Sequence, residues 1–107
     1  MINTCLIGFG YWGPNLARNF IGSGKYKINC ICDKNLSKLN AAKKIYPNIN
    51  IYKDYKKALK ENNFQLVIIA TPTITHFNIA KHVLQKKINV LVEKPLCLNK
   101  KKSYLPL

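Results

Sequence analysis

A glycine-rich segment near the amino terminus, IGFGYWGPNL over residues 7–16, limits the folds open to this chain of 107 residues. Its glycines, Gly8, Gly10 and Gly13, lie between an apolar run typical of a strand and a pattern typical of a helix. In a dinucleotide-binding turn, the first glycine permits the bend, the second admits the pyrophosphate, and the third lets helix pack on strand. The spacing therefore predicts such a turn. The alternative is that the glycines only shape a tight connection.

The rest of the chain alternates apolar runs with helical periodicity, and this order predicts the fold class. We expect strands at residues 2–7, 28–32, 49–52, 66–70 and 88–92. Helices are expected at 13–21, 36–46, 55–59 and 73–85, the last of them burying Phe77, Ala80, Val83 and Leu84. Strands that alternate with helices through short connections favour a parallel sheet with right-handed crossovers. The chain is predicted to be a doubly wound α/β domain, a Rossmann fold, truncated after about its fifth strand.

The charge balance is strongly basic, with 18 Lys and Arg, 4 Asp and Glu, and a net charge of +14. Such a charge raises nucleic acid as a partner. However, Arg18 is the only arginine, and the lysines are scattered over every predicted helix rather than set along one face. We therefore expect solvated helix faces and no nucleic acid partner. An anionic small ligand would still be attracted.

The apolar runs and the cysteines indicate in which cellular compartment the protein is expected. No run approaches the roughly 18 apolar residues of a membrane span, and the first residues lack the features of a signal peptide. We expect a cytoplasmic protein without membrane association. The four cysteines, Cys5, Cys30, Cys32 and Cys97, contain no CxxC pair. They are interpreted as buried reduced thiols rather than as a zinc site or a disulfide, and no metal is expected.

An acidic residue accompanies the glycine turn at the spacing that a dinucleotide site requires. Asp33 directly follows the second predicted strand, 20 residues after Gly13. A carboxylate at this position accepts hydrogen bonds from the adenosine ribose and repels a 2′-phosphate, which favours NAD over NADP. Lys34 beside it weakens that preference. The alternative is that Asp33 only caps a loop.

The fourth predicted strand ends in a polar segment, ATPTITH, at the sheet edge where ligands bind in this fold. Thr71 and Thr73 can donate hydrogen bonds to ribose or phosphate, and Pro72 holds the chain extended. His76 falls in the first turn of the next helix and would face the crevice if the helix phase is right. The alternative for His76 is a helix-start histidine without a ligand.

The fifth predicted strand leads into a second polar segment, VEKPL. Glu93 and Lys94 follow the apolar strand and precede Pro95, at the same edge of the sheet. An ammonium group there could stabilise an alkoxide or orient a nicotinamide and a substrate. The alternative is an ordinary surface lysine in a lysine-rich chain.

Four segments, IGFGYWGPNLARNF, CDKN, ATPTITH and VLVEKPL, together resemble the N-terminal half of the Gfo/Idh/MocA oxidoreductases, in order and over nearly the whole chain. The resemblance implies hydride transfer between a sugar C–H(OH) and nicotinamide, with Lys94 taking part in catalysis. It also implies NAD contacts from Gly8, Phe9, Gly10, Tyr11, Trp12, Gly13, Asp33, Lys34, Thr71, Pro72, Thr73, His76, Glu93, Lys94 and Pro95. GYWGPNLARNF further resembles members that act on nucleotide-linked amino sugars in surface polysaccharide synthesis.

The resemblance ends after EKPL. Family members are longer and carry a second α/β domain that binds the sugar and supplies an Asp and a His for catalysis. We therefore expect residues 1–107 to form one dinucleotide-binding domain, inactive without a substrate domain. The alternative is a stand-alone nucleotide-binding or regulatory module. An uncovered edge of the fifth strand would also promote self-association, unless the tail covers it.

Overall fold

The structure, a computed structural model, describes residues 1–93 and 102–105, and strands alternate with helices over residues 1–93. The strands are β1 (Ile2–Ile7), β2 (Tyr26–Cys32), β3 (Asn50–Tyr52), β4 (Leu66–Ile69), β5 (Asn89–Glu93) and β6 (Lys102–Leu105). The helices are α1 (Gly13–Gly22), α2 (Leu36–Ile45), α3 (Tyr55–Glu61) and α4 (Thr73–Gln85). The strands form one sheet in the order β3-β2-β1-β4-β5-β6. This order is that of a doubly wound α/β fold and confirms the predicted class.

The first five strands are parallel, and the central ones are buried on both faces. On β1, Leu6 packs into the apolar cluster on one face of the sheet and Cys5 into the cluster on the other. On β4, Ile68 and Val67 divide between the same two clusters. Strands covered on both faces are continuously apolar, which explains why they were recognisable as runs. No helix in the described part of the chain is long and apolar enough to cross a membrane.

The edge of the fifth strand is paired, so the condition under which self-association was expected does not hold. Strand β6 pairs with β5 in antiparallel register, from Val90 opposite Leu105 to Glu93 opposite Lys102. An antiparallel neighbour needs only a short connection, whereas a parallel one needs a crossover of a dozen residues or so. Residues 102–105 therefore pair with the edge of β5.

Helix α4 has the predicted bounds but a different buried face. Phe77 is 74% exposed and Ile74 is 88% exposed, so the prediction that Phe77 is buried is wrong. Leu84 is half-buried against the core. The buried residues of α4 are His76, Ile79, Ala80 and Val83. The predicted face, residues 77, 80, 83 and 84, and the observed face, residues 76, 79, 80 and 83, share two residues. Both follow helical spacing, so spacing alone does not distinguish them.

Candidate functional site

The connections that follow β1 and β4 meet at the carboxyl edge of the sheet. Strand β1 lies between β2 and β4, so the chain order of the strands reverses there. Open α/β sheets bind ligands in the crevice at this reversal. Gly8 follows β1 with φ +103°, and a Cβ built on it would lie 2.8 Å from the Ala70 carbonyl carbon and 2.9 Å from the Thr71 nitrogen. The two connections are therefore in backbone contact, and only glycine fits at position 8.

The glycine turn is folded tightly against the start of α1. A Cβ on Gly13 would lie 2.2 Å from the carbonyl oxygen of Gly8, which is far inside van der Waals contact. This close approach is the packing role expected for the third glycine of a dinucleotide-binding turn. The first and third glycines of the turn are thus both required by local backbone contacts.

Of the four helices that the structure describes, two begin without a side-chain cap, and both follow strands at the reversal point. Helix α1 begins after Trp12 and α4 begins after Pro72, with no side-chain hydrogen bond and no acidic residue in the first turn. By contrast, the Asn35 side chain caps α2 and the Asp54 side chain caps α3. Uncapped helix N-termini present N–H groups and a partial positive charge, which together favour a phosphate.

Asp33 lies directly against the glycine turn. Its Oδ2 accepts a hydrogen bond of 2.8 Å from the backbone N–H of Phe9, and its Oδ1 accepts one of 2.9 Å from the N–H of Asn35. The residue is half-buried, and each carboxylate oxygen keeps a further lone pair for a ligand hydroxyl. The structure thus brings together the two features that sequence spacing connected, the glycines and the acid.

Lys38 is a residue of the site that sequence analysis missed. A Cβ on Gly10 would lie 2.9 Å from the Nζ of Lys38, so this ammonium group lies over the middle of the glycine turn. Lys38 belongs to α2, whereas Lys34, the lysine selected from the sequence, lies before α2 and is exposed. In a chain with 18 Lys and Arg residues, no sequence signal separates Lys38 from the others.

The aromatic residues of the glycine turn differ in exposure. Phe9 is buried in the apolar cluster next to α1 and α2, Trp12 is half-buried, and Tyr11 is 83% exposed. The rings of Tyr11 and Trp12 meet edge to face with their centroids 4.8 Å apart. Phe9 therefore anchors the turn in the core, while Tyr11 is free to contact a ligand or another surface.

Hydrogen bonds from threonine side chains stabilise the connection after β4. The Thr75 hydroxyl donates to the Pro72 carbonyl at 2.7 Å and lies 2.6 Å from the Thr71 hydroxyl. Because the single proton of Thr75 is used, Thr71 is the donor in this second bond. The Thr71 hydroxyl therefore offers lone pairs at the crevice rather than a free proton, while Pro72 and Thr73 are exposed.

His76 lies beneath this connection and is only 8% exposed. Its Nε2 lies 2.6 Å from the carbonyl oxygen of Thr71. A carbonyl can only accept, so Nε2 carries a proton and donates it. The arrangement favours a role in holding the Thr71 backbone at the crevice, as distinct from direct contact with a ligand.

The VEKPL segment is only partly described by the structure. Glu93 ends β5, opposite Lys102 in the strand pairing. Lys94 and Pro95 lie outside the described residues. Their expected roles in catalysis and cofactor binding stay predictions from the sequence.

The described residues fit a dinucleotide. Uncapped N–H groups at α1, the ammonium of Lys38 and the glycine backbone suit a pyrophosphate, and the Asp33 carboxylate suits a ribose diol. A family model, Gfo/Idh/MocA, described as the oxidoreductase family with an NAD-binding Rossmann fold, matches residues 2–103. The chain belongs to this family. Its domain is an NAD-binding domain, and the resemblance and the cofactor expected from the sequence are confirmed.

Proteins that are similar to this chain in sequence or structure are much longer. The uncharacterized oxidoreductase YdgJ of Escherichia coli is 30% identical over 95 residues, which are 88% of this chain and 27% of YdgJ. WlbA dehydrogenase of Bordetella pertussis, solved with NADH and UDP-GlcNAcA, is 27% identical with a TM-score of 0.83, over 89% of this chain and 28% of WlbA. Myo-inositol 2-dehydrogenase of Lactobacillus plantarum is 26% identical with a TM-score of 0.81, over 92% of this chain and 29% of that dehydrogenase. The chain thus spans less than a third of each.

Proposed function

We propose that this chain is the NAD-binding part of a dehydrogenase that moves a hydride between a hydroxyl-bearing carbon of a sugar or nucleotide sugar and nicotinamide. The observation that carries the proposal is the contact between the glycine turn and Asp33 at the reversal point of the sheet. Two similar structures support the substrate class, since one is a myo-inositol 2-dehydrogenase and the other was solved with NADH and UDP-GlcNAcA. In its more specific form, the proposal names a nucleotide sugar as the substrate.

Each part of the site has a role in this proposal. The backbone of residues 8–13 and the N-terminus of α1 hold the pyrophosphate, and Asp33 binds the adenosine ribose. The connection after β4, with Thr71, Pro72 and Thr73 supported by His76, lines the nicotinamide side. Nicotinamide supplies or accepts the hydride when bound. Lys94 assists proton transfer or polarisation at the sugar hydroxyl, with Glu93 and Pro95 beside it.

We also propose that turnover requires a substrate-binding domain in addition to residues 1–107, which form the dinucleotide-binding domain. The described residues supply groups for the cofactor, whereas the sugar side of the reaction has no assigned residue among them. The cytoplasm is the proposed compartment, because the buried cysteines are free and the cytosol keeps thiols reduced. A stand-alone nucleotide-binding or regulatory module is the alternative, and it predicts no turnover with any added substrate domain.

A titration with NADH tests cofactor binding directly. We expect saturable enhancement of nicotinamide fluorescence with NADH. NADPH should bind more weakly, because the Asp33 carboxylate would repel its 2′-phosphate. No binding at millimolar NADH would contradict the proposal. Turnover is then measured with UDP-linked and free sugars, with and without the substrate domain of a Gfo/Idh/MocA relative. NADH binding without turnover in every combination would favour the alternative module.

Replacing Lys38 by glutamine is expected to weaken NADH binding about fivefold, because an exposed charge-assisted contact with a phosphate is worth about 1 kcal/mol. The loss should shrink as salt is raised, since screening weakens the contact in the original protein. Lys44→Gln removes the same charge from an exposed position at the end of α2 and serves as the control. Equal weakening in both variants would show that only the net positive charge matters.

A further inference from the structure

Three buried cysteine side chains meet on one face of the sheet. The Sγ of Cys32 lies 3.7 Å from that of Cys5 and 3.9 Å from that of Cys30. All three sulfur atoms lie within 4.8 Å of one another, and the residues are between 0 and 1% exposed. The glycine turn, Asp33 and the connection after β4 account for the cofactor site without these thiols.

A β-bulge creates this cluster. Thr4 of β1 pairs with Ile28 of β2, but the next residue, Cys5, pairs with Cys30, so Asn29 has no partner in the ladder. Side chains alternate between the two faces of a strand, so in an unshifted register Cys5 would pair with Asn29 and the cysteines of β2 would face away from Cys5. The Oδ1 of Asn29 is itself buried with no hydrogen-bond partner among the described residues. Bulges of this kind often re-aim side chains at functional positions.

We propose that Cys5, Cys30 and Cys32 form a binding site for a soft monovalent cation, Cu(I). Metal–sulfur bonds of about 2.3 Å place neighbouring sulfur atoms roughly 3.8 to 4.0 Å apart in tetrahedral or trigonal geometry. Two of the three sulfur pairs, at 3.7 and 3.9 Å, are already close to this separation. Thiolate ligands select Cu(I), zinc and iron–sulfur clusters over hard cations.

The number of ligands favours Cu(I) over Zn²⁺. Structural zinc sites are closed by four ligands, whereas the part of the chain that the structure describes brings three sulfur atoms together and no fourth His, Cys, Asp or Glu. The three residues are also 0 to 1% exposed, so bulk water does not reach the cluster as a fourth ligand. Cu(I) is stable with two or three sulfur ligands.

Two short elements, α3 and β3, pack in the same apolar cluster as the three cysteines and affect how the ion enters. Ala58 and Leu59 of α3 belong to the same apolar cluster as the three cysteines, and so does the partly buried Tyr52 of β3. Helix α3 has only 7 residues, and β3 has only 3. Short elements of this kind open locally at low cost, so we expect displacement of α3 to admit Cu(I).

Anaerobic transfer of Cu(I) from its coloured bicinchoninate complex tests the proposal. The original protein is expected to withdraw one equivalent, with X-ray absorption showing only sulfur ligands. Cys30→Ala and Cys32→Ala should weaken binding by at least about tenfold. Cys97→Ala is the control, because Cys97 lies outside the described residues, and it should retain binding. No transfer to the original protein, or wild-type affinity in Cys30→Ala, would overturn the site.

A second measurement avoids substitutions in the core. In mild urea, iodoacetamide should alkylate the peptides that contain Cys5, Cys30 and Cys32 in the metal-free protein. Cu(I) is expected to protect these three peptides, while the Cys97 peptide reacts at an unchanged rate. Protection of Cys97 alone, or of no cysteine, would place the metal elsewhere and refute the proposal.

Discussion

Replacing Gly13 by alanine is expected to lower the free energy of unfolding by about 3 kcal/mol and to abolish NADH binding, since overpacking of rigid atoms costs about that much. The added Cβ would lie 2.2 Å from the carbonyl oxygen of Gly8. Both groups belong to backbone that other contacts hold in place, because Gly8 itself abuts Ala70 and Thr71. The start of α1 must therefore move away from the glycine turn, and the N–H groups proposed to hold the pyrophosphate move with it.

Gly22→Ala is the matched control for this prediction. Gly22 ends the same helix, and a Cβ there would meet no atom within 4 Å. Alanine at this position should leave NADH binding unchanged and raise stability by about 0.5 kcal/mol, because glycine is a poor helix former. Urea unfolding and nicotinamide fluorescence measure both quantities. A Gly13→Ala protein with wild-type unfolding and NADH affinity would show that the turn relaxes without cost.

The order of elements could be predicted from the sequence because buried parallel strands are uninterrupted apolar runs. The bounds of α4 were predicted for the same kind of reason, since Pro72 comes just before its start and helical periodicity continues to Gln85. The buried face of α4 could not be predicted, because Phe77 looks like a core residue and His76 does not. In the structure His76 is buried and donates a hydrogen bond to the Thr71 carbonyl five residues earlier, a contact that hydrophobic periodicity does not reveal.

The glycine turn and Asp33 could be linked from their spacing, but two other groupings could not. Lys38 reaches the turn from a neighbouring helix, and its position depends on how α2 packs. The approach of Cys5 to Cys30 and Cys32 depends on one unpaired residue, Asn29, in the register of β1 and β2. Alternation along a single strand contains no information about a bulge between two strands. The contact between the glycine turn and Asp33 was therefore predictable, because local spacing determines it. The position of Lys38 and the cysteine cluster were not, because helix packing and strand register determine them.

Replacing Asp33 by asparagine is expected to weaken NADH binding about 30-fold, the equivalent of about 2 kcal/mol for a lost charged acceptor. Each carboxylate oxygen of Asp33 accepts a backbone N–H, one from Phe9 and one from Asn35. An amide has only one oxygen, so in either orientation its NH₂ group faces one of these donors. Because the negative charge is also gone, the affinity for NADPH relative to NADH should rise.

Asp54→Asn is the matched control for Asp33→Asn. Asp54 makes the same local contact, with its Oδ1 accepting the N–H of Lys56 at 2.9 Å, but it caps α3 and does not touch the glycine turn. Asparagine caps helices as well as aspartate, so stability and NADH affinity should both stay close to wild type. Titrations with NADH and NADPH at one ionic strength compare the variants. Equal losses in both would mean that total charge, rather than the Asp33 contact with the turn, governs cofactor binding.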